Sequence, residues 1–343
     1  MDADVFTKLL TIIENDIRRQ DTNMRGSIKP RDRLALTLRF PATGETFQSL
    51  AYATRIAPNT LSQIIPDTLQ AILNNLEVTC VKVPTSASEW KTIAHSFNVS
   101  WLSPHCIPAI DGKKVTFRAP RSEGANFRDY KGNNSIVLLA IVDAHYKYVY
   151  VNIGANGRVN DGAIFNNSKL AEALNNKKLN LPAPEEIECF SGVELPYVFV
   201  ADVAFALKEY MMKWYPERDL SEEKRVFNYR LSRARRVVEN AFSTMSNKFG
   251  VLLSPIRLSA KKVDIVIRVC CVLHNFILEQ KSQCYIPPEI GNRTFASTME
   301  GIQQQNGRNP TVNALRIRDQ FRNYFNTVGS VPWQQQCVDA GRW

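Results

Sequence analysis

The sequence predicts an α/β fold, a mixed sheet flanked by helices and preceded by a small helical domain. Three observations predict it. Apolar residues recur at helical spacing through the first 80 residues. Between Cys106 and Asp202 the pattern changes to short apolar or alternating runs bounded by turn residues, which read as strands. Two long helical patterns follow, Phe227–Phe249 and Val263–Leu278. Strands first, with helices after them to cover the faces, give a mixed sheet under helices. The 343 residues suit about two domains of roughly 150 residues each. The expected division is a helical N-terminal domain (1–80), a connection (81–104), a sheet-containing core (105–281) and a polar, partly flexible C-terminal tail with a short helix (282–343).

The N-terminal stretch Met1–Gln20 places acids where a secretory leader needs basic residues, so no leader is expected. The longest apolar run, Ser135–Val142, falls far short of the roughly 18 residues that a membrane span needs. No membrane partner is expected. Glu45–Ala53 and Thr60–Ile65 read as two short helices across the Ile56-Ala-Pro-Asn break, a helix-turn-helix-like pattern. Arg55 is the one basic residue beside it, so packing against the next domain is the alternative reading.

In the core, Cys106–Gly112 reads as a strand ending on an Asp-Gly turn. Ser135–Val142 is continuously apolar, and Lys147–Ile153 alternates. The short Asp143–Tyr146 gap between them suggests an antiparallel hairpin. A helix headed by Asp161, with Ala163–Leu174 as its body, precedes a doubly buried strand, Leu195–Asp202. The seven cysteines are odd in number and lack metal-binding spacing, so they read as reduced, mostly buried thiols.

Lys and Arg number 43 against 33 Asp and Glu, a net charge of +10. From Lys224 to Cys270 there are eleven Lys and Arg against Glu239 and Asp264, so nearly the whole excess lies in one segment. A localised basic strip is the footprint of a protein that meets a polyanion. Lys113, Lys114, Arg233, Arg235, Arg236 and Lys248 are the candidate phosphate contacts. A solvated basic helix is the bland alternative.

Three acids stand out against this charge. Asp111 and Asp202 each close an apolar strand, the place where open α/β sheets put ligands, and an unpaired carboxylate there is costly to bury. On the Phe227–Phe249 helix, Phe227, Leu231, Ala234, Val238, Phe242, Met245 and Phe249 form the core stripe. Glu239 then shares a polar face with Ser232, Arg235 and Arg236. Taken singly, Asp111 is a turn residue, Asp202 a helix cap and Glu239 half of a surface pair worth roughly 0.3–0.5 kcal/mol. Taken together, three carboxylates suit hard cations such as Mg²⁺ or Mn²⁺. Two such ions about 3.5–4 Å apart can clamp both oxygens of an in-line phosphoryl transfer.

The runs Ala109–Lys113, Tyr130–Ala144, Asn160–Phe165, Val200–Leu207, Phe227–Phe242 and Val272–Phe276 stand in that order. In these motifs the chain resembles PIF/Harbinger-type transposases and the nucleases derived from them, members of the DDE superfamily with an RNase H-like core. The resemblance implies a divalent-metal-dependent DNA endonuclease with Asp111, Asp202 and Glu239 as catalytic and metal-binding residues. It makes Asp161 a further metal ligand, for which a helix cap is the alternative. It also implies a nuclear destination and a separate Myb/SANT-like DNA-binding partner, and leaves room for a homo-oligomer. His274 matches the family's Leu-His-Asn and is expected to be structural. Lys114 stands where relatives carry histidine, and Ala201, Phe205 and Ala206 where they carry glycine, tyrosine and proline. These departures give the alternative: a domesticated, catalytically silent DNA-binding or adaptor protein. A small-molecule phosphatase using the Gly154–Gly157 turn is a remote third reading, since no phosphate-binding glycine loop is present.

Overall fold

The computed structural model describes residues 1–343 except 22, 24–25, 119–125, 130, 158, 160, 217–219, 286–298, 302–308 and 342–343, and the backbone alone at 155, 161, 281–285 and 300–301. The chain opens with helices α1 (Ala3–Ile17), α2 (Pro30–Thr43), α3 (Phe47–Thr54), α4 (Pro58–Cys80) and α5 (Ala87–Trp101). Asp2 caps α1 by accepting from the Val5 N–H, and Val5, Leu9, Ile13 and Ile17 bury one face at four-residue steps. The 23-residue α4 buries Leu61, Ile65, Leu69, Ile72 and Leu76 along its length and packs against α1, α2, α3 and the later helix α9 (Ala260–Tyr285). The helix pair around Ile56 is thus seated on the core. A bidentate contact between Arg268 of α9 and Glu77 of α4, at 2.7 and 2.5 Å, fastens it there.

The sheet holds β1 (Cys106–Thr116), β2 (Ser135–Val142), β3 (Tyr148–Asn156), β6 (Val198–Val200) and β7 (Met211–Met212) in the order β3-β2-β1-β6-β7. The first three strands are antiparallel neighbours, while β6 runs parallel to β1 and β7 parallel to β6. This mixed sheet, with helices on its faces and a helical region before it, is the α/β architecture expected, and it is consistent with an RNase H-like fold. A separate hairpin joins β4 (Glu185–Ile187) to β5 (Phe190–Leu195), and β8 (Glu300–Gly301) pairs with Lys113 and Lys114 of β1.

Helices α8 (Glu222–Lys248) and α9 cover one face, while α6 (Asp161–Asn166) and α7 (Lys169–Asn175) cover the other. The expected α8 stripe, from Phe227 through Phe249, is buried throughout. Two elements differ from expectation. The Ala163–Leu174 helix is broken, because the Ser168 hydroxyl accepts from the Ala171 N–H and starts α7 anew. The Asp111-Gly112 pair makes no turn: β1 runs through it, pairing Asp111 with Ala140 and Gly112 with Leu139. The long apolar partner β2 supplies ladder positions on both sides, and this overrides the local turn preference.

His274 and Asn275 of α9 are fully buried and lock the β2–β3 hairpin to the helices. His274 Nε2 donates to the Tyr146 carbonyl at 2.9 Å. The Asn275 amide donates to the carbonyls of Cys80 and Tyr148, and its oxygen accepts from the Tyr148 N–H. Burial pulls the His274 imidazole down to about 4, so it is neutral at physiological pH. The structural reading of His274 holds. Asn275→Ala should cost about 3 kcal/mol by leaving three buried backbone groups unpaired, read as a shift of the urea midpoint.

Past the core, α10 (Val312–Asn326) and α11 (Gln334–Asp339) lie on α8. Among the described residues no helix is long and apolar enough to cross a membrane. Cys80, Cys106, Cys189, Cys270, Cys271 and Cys337 are free thiols.

Candidate active site

Strand register brings the two aspartates together. Ala109 of β1 faces Val200 of β6, and both strands point the same way. Two residues further along lie Asp111, still within β1, where the two-residue step returns the side chain to the face of Ala109, and Asp202, just past the end of β6. Ala109 and Val200 belong to the core beneath α8, whereas Ile110, Phe199 and Ala201 belong to the core on the opposite face. Asp111 is therefore not a turn residue but a mid-strand acid, 3% exposed, standing in the gap on the edge of β1 between the end of β6 and the β8 pairing at Lys113. Asp202 enters a tight turn in which its Oδ1 accepts from the Ala204 N–H at 2.9 Å.

Helix α8 delivers the third acid. Arg235 reaches down from it, with one guanidinium nitrogen 2.5 Å from Glu239 Oε1 and another 3.7 Å from Asp111 Oδ2. Lys113, one pleat along β1 on the same face, sets its ammonium 3.1 Å from the same Asp111 oxygen. The Glu239–Arg235 pair is thus not the solvated surface pair that spacing alone allows. Its side chains are 20% and 14% exposed, and the guanidinium also lies 5.0 Å from the centre of the Trp214 ring.

Burial and the neighbouring Asp111 charge push the Asp202 carboxyl up to about 6, against the pull of Arg235, the Ala204 N–H and Lys113. Burial alone would lower Arg235, but Asp111, Glu239 and Asp202 together hold it above its usual value. One arginine therefore feels all three acids and is their common counter-charge. Arg235→Gln should cost roughly 3–5 kcal/mol in metal-free buffer, the loss that follows when one member of a buried charge cluster goes. Chemical denaturation in EDTA checks this.

The remaining candidates are scattered. Lys114 is 3% exposed on the opposite face of β1. Arg233 and Arg236 lie half-buried on the polar side of α8. Lys248 is exposed about 13 Å along the axis from Glu239 at 1.5 Å per residue, bordering the groove between α1 and α2. Asp161 begins α6, but its side chain lies outside the described residues. Among the described residues no three His, Cys, Asp or Glu are gathered as a group that could hold a metal. Glu239 is turned to Arg235 instead.

Sequence reasoning missed Lys213. It follows β7 directly, its ammonium donates to the Val203 carbonyl at 3.3 Å, and burial and Arg318 lower it while the charge of Asp202 raises it. The two-residue β7 offers no periodicity that could have shown the strand, so nothing in the sequence placed Lys213 beside Asp202.

The mixed, RNase H-like sheet thus carries Asp111 within β1 and Asp202 two residues past the end of the parallel strand β6, under a helix bearing Glu239. Residues 110–275 match the family model described as DDE superfamily endonuclease. The Arabidopsis thaliana protein ALP1-like is 26% identical over 291 residues, covering 81% of this chain and 69% of that protein. HARBI1 of Homo sapiens, whose name describes a candidate nuclease, is 21% identical over 273 residues, covering 79% and 73%. The Arabidopsis thaliana protein named Antagonist of Like Heterochromatin Protein 1 is 21% identical over 248 residues, covering 72% and 62%. No solved structure matches the chain.

Proposed function

We propose that the chain is a divalent-metal-dependent DNA endonuclease that hydrolyses or transfers phosphodiester bonds, with Asp111, Asp202 and Glu239 as its working carboxylates. The observation that carries this reading is the register that sets Asp111 beside Asp202 under Arg235 and Glu239. Asp111 Oδ2 is buried and faced by the Lys113 ammonium and the Arg235 guanidinium, charges that a cation would have to displace, and the oxygen donors suit a hard ion such as Mg²⁺ or Mn²⁺. Asp111 and Asp202 would hold it, and Glu239 would join them on release from Arg235. Such ions supply Lewis-acid charge at the attacking and departing oxygens of an in-line displacement. Lys113 and Arg235 orient Asp111, and the basic side of α8 presents Arg233 and Arg236 to the phosphates. A nuclear destination, a Myb/SANT-like partner that recognises the DNA and self-association go with this reading.

The test is nicking of supercoiled DNA in Mn²⁺. The parent chain should nick, and EDTA or Asp111→Asn should remove the activity, a loss on the order of 10³-fold or more when the group that stabilises the transition state goes. Nicking by Asp111→Asn at the parent rate would exclude the mechanism.

One observation favours the silent-scaffold reading, the engagement of Glu239 by Arg235 in place of a ready three-carboxylate group. Titration calorimetry with Mn²⁺ separates the two. A nuclease takes up the ion in a manner that depends on Asp111 and Asp202, and a scaffold takes up none.

A further inference from the structure

Helix α8 carries a second feature beside the acids. Tyr229, Arg233, Arg236 and Glu239 step by four, three and three, so they share one face. Arg233 and Arg236 each bury an Nε that has no hydrogen-bond acceptor, and neither has an ion pair with a carboxylate among the described residues. Above Arg233 stands Trp333, with the guanidinium 5.9 Å from its ring centre and the indole 40% exposed. An exposed tryptophan is held here rather than left loose. Its neighbour Gln334 accepts from the buried Arg230 at 3.1 Å and donates to the Phe325 carbonyl at 3.1 Å, which fixes the start of α11 against α8. From Arg233 to Glu239 the helix rises about 9 Å.

We infer that Trp333, Arg233 and Arg236 form a docking surface for an unpaired nucleotide of the DNA strand next to the scissile bond. The base stacks on the exposed indole and the adjoining phosphates meet the two guanidinium groups. The inference rests on the DNA-cleaving reading of the acids. Charge complementarity selects the occupant: two half-buried cations with no carboxylate at ion-pair distance among the described residues ask for anions, and the flat apolar ring over Arg233 asks for a π-face. A nucleotide supplies both in one unit, and stacking of this kind tolerates any base. A paired duplex cannot use the ring, because its bases are already stacked on one another. The short rise from Arg233 to Glu239 means that a strand engaged at the acids passes Arg236 before it reaches Trp333. A strand end or a base unstacked during cleavage is therefore the natural guest.

The full chain is tested in EDTA by fluorescence anisotropy, with one duplex fully paired and the same duplex carrying a two-nucleotide unpaired 3′ end. Trp333→Ala should weaken binding of the frayed DNA about tenfold and of the paired duplex less than about twofold. Trp333→Phe should keep most of the affinity, since a smaller ring still stacks. Arg236→Gln should weaken both DNAs and flatten the salt dependence. An equal loss on both DNAs with Trp333→Ala, or no loss on either, would overturn the stacking surface while leaving the nuclease reading intact. A parent chain that binds neither DNA would overturn both.

Discussion

Asp202→Asn should make the metal-free protein more stable and, on the proposed nuclease reading, should abolish nicking. Asp202 is the acid that the fold tolerates least. It is half-buried just past the end of β6, and burial together with the charge of Asp111 on the neighbouring strand pushes its carboxyl up to about 6. For an acid the sign follows directly. When the folded value exceeds the unfolded one, the folded chain binds the proton more tightly, and stability falls as pH rises from about 4 through about 6. Above that window the whole penalty is present. A shift from 3.8 to about 6 corresponds to up to about 3 kcal/mol at 1.36 kcal/mol per unit. Asparagine keeps the oxygen that accepts from the Ala204 N–H and drops the charge. Urea denaturation in EDTA should show the variant ahead by up to about 3 kcal/mol at pH 7.5 and level with the parent near pH 4. Equal stability of the two at both pH values would remove the claim that Asp202 is strained by burial and by Asp111. On the nuclease reading proposed above, an acid that harms the resting protein is one kept for its chemistry.

The fold was legible in the sequence where local pattern and tertiary context agree. The β2–β3 hairpin, the long α8 with its buried stripe, and α9 fall where the periodicity puts them. Asp111 shows the opposite case. Its Asp-Gly pair carries the local signature of a turn, but β2 offers an unbroken apolar partner and the strand continues. What makes Asp111 and Asp202 neighbours is the Ala109–Val200 register, a non-local pairing that no window of sequence contains. The same limit applies to Lys213 and Trp214, which a two-residue strand brings beside the acids. Arg235 was legible as a basic residue four positions from Glu239. Its role as counter-charge to all three acids was not, because that depends on how far α8 stands above the sheet. The hairpin of β4 and β5 and the β8 pairing are too short to leave a period.

Arg230 shows how much of the α8 surface depends on the C-terminal helices, and its removal should be among the most damaging single changes outside the acids. The residue is 3% exposed, and its guanidinium donates to three neutral acceptors: the Gly329 carbonyl at 2.7 Å, Gln334 Oε1 at 3.1 Å and the Leu102 carbonyl at 2.6 Å. It also lies 4.6 Å from the centre of the Phe325 ring. Burial lowers it to about 10, which still leaves a full cation at neutral pH. With no carboxylate partner among the described residues, the buried charge is held by these charge-assisted hydrogen bonds and the ring contact. Those three bonds join α5, α8 and the turn between α10 and α11 at one point. Arg230→Met keeps most of the volume but leaves three acceptors unpaired, so it should cost about 3–5 kcal/mol. Arg230→Lys has one ammonium in place of the planar fork and cannot serve acceptors on three elements at once, so it should recover only part of this. The damage should be local before it is global. Limited trypsin digestion of Arg230→Met should cut first among Arg316, Arg318 and Arg322 of α10, while the sheet and α9 stay intact. Uniform digestion, or a variant as resistant as the parent, would show that the C-terminal helices are held by their apolar contacts with α8 and that Arg230 is not their anchor.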